Sequence, residues 1–194
     1  MNIYPDYFKR LTLKKIWNFL LLESSIGLSV LLRKPVVRGA PYTISIEPTC
    51  LCHLRCPECP TGSGMIKREN ANMDMALFQR LVDEIKATTL HLFLYFQGEP
   101  FMNRDIFEMI KYASDRNIFT IISTNGQFLD DEMNLKIIKS GLNRLIISVD
   151  GTDQETYEKY RIGGDLSRIL EGSKNLNELK KTGKTRTPEM IFQF

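Results

Sequence analysis

The stretch CLCHLRCPEC, residues 50–59, holds every cysteine of the 194-residue chain. Clustered thiols in a reducing compartment serve metal binding more often than disulfide formation. The run TISIEP, residues 43–48, comes directly before them and has the apolar pattern of a short buried strand. The sequence therefore predicts a metal site on a loop at the end of a strand.

The spacing of the four cysteines indicates which kind of metal site, a zinc site or an iron–sulfur cluster, they could form. A structural zinc ion usually takes two well-separated pairs of ligands, with about two to four residues inside each pair. Cys50 and Cys52 have one residue between them, which is awkward for ligation of one ion. Cys52, Cys56 and Cys59 remain as three well-spaced ligands, which suit an iron–sulfur cluster with one iron left open. Zinc and a redox pair of Cys56 and Cys59 stay as alternatives, and Cys50 is expected to be a small buried residue.

From residue 42 onward, strand-like and helix-like segments alternate. The predicted strands are 43–48, 90–96, 118–124, 145–150 and one beginning with MIFQF at 190; the predicted helices are 75–89, 105–116, 130–140, 153–160 and 167–181. This alternation predicts right-handed βαβ crossovers and a parallel sheet.

Each unusual short motif directly follows a predicted strand or ends it. The cysteines follow the first strand, QGEP (97–100) the second and STNG (123–126) the third, and SVD (148–150) ends the fourth. Ligands of parallel sheets bind at the carboxyl ends of the strands. We therefore expect the four loops to form one site.

The charge balance narrows the possible partners. The chain has 26 basic and 23 acidic residues, a net charge of +3, so no nucleic-acid partner is predicted. Residues 16–32 are largely apolar but are interrupted by Asn18 and Glu23. The favoured interpretation is a helix that packs on its own or a neighbouring domain, with a membrane-surface helix as the alternative, and membrane contact is not expected. Without a recognisable export signal, a cytoplasmic location is predicted.

The segment IEPTCLCHLRCPECPTG, residues 46–62, resembles the cluster loop of the radical S-adenosylmethionine (radical SAM) enzymes, whose signature is CxxxCxxC after the first strand. DGTDQETYEKYRIGG, residues 150–164, is most similar to the branch that carries a C-terminal SPASM extension with auxiliary clusters. The resemblance implies an α/β fold, a partial (β/α)6 radical SAM barrel with a parallel sheet. The apolar pattern predicts an N-terminal helical extension at 1–40. The resemblance implies a core at 41–194 that is incomplete after about the fifth strand, so the chain is expected to be part of a longer protein.

The resemblance also implies the chemistry. Cys52, Cys56 and Cys59 would bind a 4Fe-4S cluster whose fourth iron is chelated by SAM, and reductive cleavage of SAM would give a 5′-deoxyadenosyl radical for hydrogen abstraction. The expected contacts to SAM are Gly98 and Glu99 near its ammonium, Thr124 and Asn125 near the ribose, Ser148 near the ribose or carboxylate, and Arg161 near the carboxylate. The expected partners are an electron donor such as flavodoxin or ferredoxin and a peptide or protein substrate.

Two positions depart from the family pattern. Glu58 stands where a large apolar residue is common, and Gln97-Gly98-Glu99 replaces the common Gly-Gly-Glu. A non-catalytic module that keeps a cluster or zinc is therefore the alternative function.

Overall fold

The computed structural model describes residues 7–65 and 72–194. The helices are α1 (Leu13–Leu32), α2 (Met75–Ile85), α3 (Ile106–Ser114), α4 (Asp131–Lys139), α5 (Gln154–Tyr160) and α6 (Leu166–Thr182). The strands are β1 (Thr43–Ser45), β2 (His91–Phe93), β3 (Phe119–Thr124), β4 (Arg144–Ser148) and β5 (Glu189–Gln193). A 3-10 turn, Pro100–Met102, follows β2.

The five strands form one parallel sheet in the order β1-β2-β3-β4-β5. Each strand pairs with the next one along the chain, as repeated βα units require. In the part of the chain that the structure describes, the sheet is open, so the predicted α/β fold with a partial barrel is confirmed. β1 and β2 have only three residues each, shorter than predicted. The ladder still continues for one residue, because the N–H of Ile46 donates to the carbonyl of Phe93 at 2.9 Å.

The core lies between the sheet and the helices. β3 is the central strand and is almost wholly buried. Phe78 and Val82 of α2 and Met109 of α3 pack in the same cluster and are fully buried. Burial of each such side chain contributes about 1.5–3 kcal/mol. No α1 residue belongs to this cluster among the described residues.

Aspartates mark where the helices begin after the loops. The side chains of Asp74, Asp130, Asp153 and Asp165 accept hydrogen bonds from backbone N–H groups in the first turns of α2, α4, α5 and α6. Each such cap stabilises its helix by about 1 kcal/mol. Each loop that precedes one of these four helices therefore ends at its capping aspartate.

Helix α1 lies outside this arrangement, at the amino end of the sheet. Its fully buried residues are Lys15, Asn18 and Ser25, so it packs mainly by a polar stripe, and Leu21, Leu22 and Leu28 are half-buried. By length and composition α1 could cross a membrane, and only 17% of its most apolar window is buried. The expected packing on a domain is therefore seen along the polar stripe and at the half-buried leucines. The first six residues of the predicted extension lie outside the described part.

Candidate active site

The loops after β1, β2, β3 and β4 line one cleft of about 290 Å³, close to the lower limit for small-molecule sites. Its lining includes every residue to which the sequence assigned a role: Cys52, Cys56, Cys59, Gly98, Glu99, Thr124, Asn125, Ser148 and Arg161. Cys50 is half-buried and does not line the cleft. The structure thus brings the nine candidate residues together and sets Cys50 apart.

The cysteine loop is held by backbone contacts. The N–H of Arg55 donates to the carbonyl of Ile162 at 3.0 Å, and the N–H of Cys59 donates to that of Cys56 at 3.2 Å. A Cβ atom at Gly62 would lie 2.7 Å from the nitrogen of Cys56. Glycine is therefore needed where the end of the loop folds back over Cys56.

Gly98 has a structural task that the sequence did not predict. A Cβ atom there would lie 2.0 Å from the carbonyl oxygen of Thr49 and 2.9 Å from the Cα of Cys50. The N–H of the next residue, Glu99, donates to the carbonyl of Leu51 at 2.7 Å. The loop after β2 therefore passes directly over the start of the cysteine loop.

Glu47, which sequence reasoning missed, supports the same loop. Its Oε1 accepts hydrogen bonds from the N–H of Gln97 at 2.9 Å and of Gly98 at 3.3 Å. The only signal in the sequence is an acidic residue at the end of the first predicted strand. Its partners lie 50 positions away, so local patterns do not identify them.

Glu99 is 2% exposed and links two loops. Its Oε1 accepts from the Thr124 hydroxyl at 2.8 Å, and its Oε2 accepts from the N–H of Asn125 at 2.7 Å. Burial raises the pKa of this carboxyl to about 7, against the lowering effect of these two hydrogen bonds. Glu99 thus lies at the cleft and also fixes the loop after β3 relative to the loop after β2.

The loop after β3 also reaches a cysteine. The side-chain N–H of Asn125 donates to the Cys52 sulfur at 3.8 Å, and its Oδ1 accepts from the N–H of Gln127 at 3.0 Å. Burial raises the pKa of the Cys52 thiol, while a hydrogen bond from the backbone of Leu54 lowers it. The side-chain polar atoms of Thr124 and Asn125 therefore already form hydrogen bonds within the protein.

Arg161 lies beside another thiol. Its Nε donates to the Asp150 carboxylate at 2.5 Å, and its Nη1 donates to the Cys56 sulfur at 3.8 Å. Burial raises the pKa of the Cys56 thiol, and the Arg161 charge opposes that rise. Asp150 was part of the motif at the end of β4 but had no assigned role. It orients the guanidinium toward the cysteine loop.

Two polar groups on the cleft are available to a ligand. Ser148 ends β4, and its hydroxyl makes no hydrogen bond within the described residues. The Gln97 Oε1 atom is buried and also lacks a partner there. Buried polar atoms usually have hydrogen-bond partners, so this Gln97 oxygen is a candidate ligand contact that the sequence did not predict.

Aromatic side chains complete the cleft. Tyr95, Phe96 and Tyr160 line it, and Phe96 is 68% exposed. No role was predicted for these residues, although two of them directly precede the QGEP motif. His53 contacts the Phe128 ring at 5.0 Å between centroids and does not line the cleft.

The arrangement of the cysteines bears on the kind of metal site. Within residues 7–65 and 72–194, no three His, Cys, Asp or Glu side chains converge on a point where they could hold an ion. Ligands of a zinc ion, each about 2.3 Å from it when they are thiolates, must converge in that way. Thiols that line one cleft without converging suit a cluster of several irons better.

Comparison with known proteins places the chain among enzymes. An AdoMet-dependent heme synthase of Methanosarcina barkeri is 30% identical over 69% of this chain and 38% of its own length. A PqqA peptide cyclase of Granulibacter bethesdensis is 31% identical over 64% of this chain and 32% of its own length. The chain thus spans less than two fifths of the length of these curated relatives.

Solved structures share the fold. SuiB of Streptococcus suis, bound to its precursor peptide SuiA, superimposes with a TM-score of 0.65 and 20% identity over 88% of this chain and 36% of that one. Residues 46–190 match the Radical SAM superfamily, whose members use a 4Fe-4S cluster and SAM. The chain belongs to the radical SAM superfamily, and its relatives include members of the SPASM-containing branch.

Proposed function

We propose that Cys52, Cys56 and Cys59 bind a 4Fe-4S cluster and that SAM binds beside it in the cleft. The observation that carries this proposal is that the three cysteines of the CxxxCxxC motif share one cleft with the loops that follow β2, β3 and β4. The bound cluster and SAM would together supply reductive cleavage of SAM to a 5′-deoxyadenosyl radical, which abstracts hydrogen from a substrate.

The chain's own residues would position SAM. Arg161 carries a fork of donors that suits a carboxylate better than a lysine would, and Asp150 holds it at the cleft. Glu99 still has acceptor capacity beyond its bonds to the chain, since each carboxylate oxygen can accept more than one hydrogen bond. A charge-assisted bond from the SAM ammonium would also favour the ionised form of Glu99.

The remaining contacts would involve the nucleoside. The free Ser148 hydroxyl supports a hydrogen bond to the ribose or to the carboxylate of SAM. Thr124 and Asn125 line the same wall of the cleft, but their side chains are engaged within the loop. We therefore propose that they act mainly by shaping that wall, with Gly98 giving the backbone of the loop after β2 close access.

The proposed substrate is a peptide or protein. The support is the relationship with the PqqA peptide cyclase and the similarity of residues 150–164 to the branch with SPASM extensions. An electron donor such as flavodoxin or ferredoxin would reduce the cluster. A cytoplasmic location fits four cysteines that are all free thiols.

The test is SAM cleavage by the reconstituted protein. After anaerobic loading with iron and sulfide, the chain is incubated with SAM and dithionite, and 5′-deoxyadenosine is quantified. We expect product from the wild type and none from a variant with all three ligand cysteines changed to serine. A stable cluster without SAM binding or product would instead identify a non-catalytic module.

The substrate class needs its own measurement. Deuterated peptides and deuterated small metabolites from the source organism are supplied separately to the active protein. Deuterium in 5′-deoxyadenosine only with the peptide fraction would support the proposed class. Labelling only with the metabolite fraction would contradict the peptide class while leaving the radical chemistry intact.

A further inference from the structure

Helix α1 exposes most of its large apolar side chains. Nine of its large apolar residues are exposed: Leu13, Ile16, Trp17, Phe19, Leu20, Ile26, Val30, Leu31 and Leu32. Leu13 and Leu31 are 86% and 77% exposed. We call these nine residues the apolar face of α1. A large exposed apolar surface marks an interaction site, and the exposed carboxylate of Glu23 is the one acidic group on this helix.

The opposite side of the helix is polar and fully engaged. Asn18 donates from Nδ2 to the carbonyl of Ala40 at 2.8 Å and accepts at Oδ1 from the N–H of the same residue at 2.9 Å. The Ser25 hydroxyl accepts from the N–H of Arg38 at 3.1 Å. The Ser29 hydroxyl accepts from the N–H of Val36 at 2.9 Å. The chain after the helix therefore runs back along it and covers the polar stripe.

The first half of α1 is attached to the core. Lys15 donates from Nζ to the carbonyl of Asn117, just before β3, at 2.5 Å. Phe19 is 43% exposed but is also in edge contact with Tyr42, with ring centroids 5.5 Å apart, so it joins the apolar face to the protein. These contacts fix which side of α1 faces the protein, so the apolar face points outward because of the fold and not through free rotation.

Charge is distributed very unequally between the extension and the core. Residues 1–40 contain seven basic and two acidic residues, whereas residues 41–194 contain 19 basic and 21 acidic ones. Lys14, Arg33 and Lys34 are exposed at the two ends of α1 and form no ion pair within the described residues. Basic residues around an apolar helix face are complementary to an anionic lipid surface.

We propose that the apolar face of α1 docks on the surface of an anionic lipid bilayer, with Trp17 in the interfacial layer and Arg33 and Lys34 at the headgroups. Amphipathic Trp side chains favour this layer. The cleft lies at the carboxyl end of the sheet and α1 at the amino end, so docking leaves the cleft open to solvent.

The geometry favours surface docking over a membrane-spanning arrangement. A spanning helix has its two ends on opposite sides of the bilayer. Here Arg10, before α1, donates to the carbonyls of Ser114 and Ile118, and Ala40, after it, is bound to Asn18 near the start of the same helix. Both flanking segments are thus held on one side, beside the core.

Trp17 is the only tryptophan of the chain, so its fluorescence reports on α1 alone. The full chain is titrated with vesicles of phosphatidylcholine and with vesicles that also contain phosphatidylserine. We expect a blue shift of Trp17 emission and co-flotation with the anionic vesicles, both weakened by high salt. An unshifted emission with anionic vesicles at low salt, in a protein whose circular dichroism shows that it is folded, would overturn the proposal.

Two matched substitutions separate the apolar face from general stickiness. Leu20 and Leu170 are both 53% exposed, on α1 and α6. Leu20→Gln should weaken vesicle binding about tenfold, whereas Leu170→Gln should leave it unchanged. Equal losses in the two variants would overturn the proposal. Removing the charges with Arg33→Gln/Lys34→Gln should reduce binding to anionic vesicles by about fivefold per charge.

Other occupants of the apolar face give different results. Concentration-dependent dimerisation without lipid, with Trp17 emission already shifted, would show that a second copy covers the face. Retention of the expressed chain in membranes after carbonate extraction would show that α1 crosses the bilayer. Either outcome would overturn the proposal.

Discussion

The two ends of the sheet are built on opposite principles. At the carboxyl end, charged and polar side chains such as Glu47 and Glu99 bond across loops that are far apart in sequence. At the amino end, the fully buried side chains of α1 are polar and most of its large apolar side chains are exposed. Polar groups at the first end organise a site for a small ligand, while those at the second end only attach a helix whose apolar face is left for another partner.

The cysteine loop provides the strongest test of this contrast. Serine in place of Cys52, Cys56 or Cys59 should abolish cluster assembly, because each thiolate would hold one iron. Cys50→Ser is the matched control, since Cys50 lies in the same loop but not on the cleft. Iron and sulfide content after anaerobic reconstitution measures the difference. Loss of the cluster in Cys50→Ser with retention in Cys52→Ser would make the ligand assignment wrong.

Gly98 and Gly27 differ in the space around them, so alanine substitutions compare how tightly the two ends of the sheet are packed. Gly98→Ala places a Cβ atom 2.0 Å from the backbone oxygen of Thr49, while Gly27→Ala on α1 meets nothing within 4 Å. The first change should lower the free energy of unfolding by about 3 kcal/mol, since backbone cannot move aside easily. The second should raise it by about 0.5–1 kcal/mol, because alanine favours a helix interior.

Urea unfolding of the two glycine variants measures both effects. SAM titration should also show weaker binding in Gly98→Ala, since the loops after β1 and β2 must separate. Similar stability of the two variants would mean that the loops at the carboxyl end are looser than their contacts indicate.

The extent to which the sequence could predict the molecule differs between these ends. Strands and helices after residue 42 were predicted because each has a local apolar period, and all nine candidate residues lie on the cleft because loops after parallel strands meet at one edge. The residues that support them were not predicted. Glu47 and Asp150 act on groups in other loops, and no local pattern reports such pairings.

The face of α1 was unpredictable for a related physical reason. Apolar residues lie on nearly all sides of this helix, so its sequence does not specify which side is buried. The choice is made by hydrogen bonds from Asn18 to Ala40 and from Arg38 to Ser25, which form only after the chain turns back. The helix itself was predictable, but its orientation depends on these tertiary contacts.

Glu99 and Glu58 allow a comparison within the carboxyl end of the sheet, since both are carboxylates but only Glu99 is buried. Glu99→Ala should destabilise the protein by about 1–3 kcal/mol, because the Thr124 hydroxyl and the N–H of Asn125 lose their acceptors. It should also weaken SAM binding in isothermal titration. Glu58 is exposed, so Glu58→Ala should change neither quantity. Destabilisation without any change in SAM affinity would limit Glu99 to its role between the loops.

The last expected effect lies at the amino end and depends on pH. Burial lowers the pKa of Lys15 to about 8, with a further contribution from Arg10. Between about pH 8 and the ordinary lysine pKa of about 10.4, the unfolded chain binds a proton at Lys15 that the folded chain has released. The free energy of unfolding should therefore rise with pH across this window, and the cost of burying the charge is fully present below it.

Lys15→Met keeps the length of the side chain and removes the titration. Urea unfolding from pH 7 to pH 10 should show the wild type gaining stability relative to this variant as the pH rises, because the shared titration of tyrosines and cysteines cancels in the difference. A difference that is constant across the window would show that Lys15 keeps its charge at little cost, with Asn117 as sufficient compensation. In that case the polar attachment of α1 would be as well adapted as the network around Glu99, and the contrast between the two ends would rest on the apolar face alone.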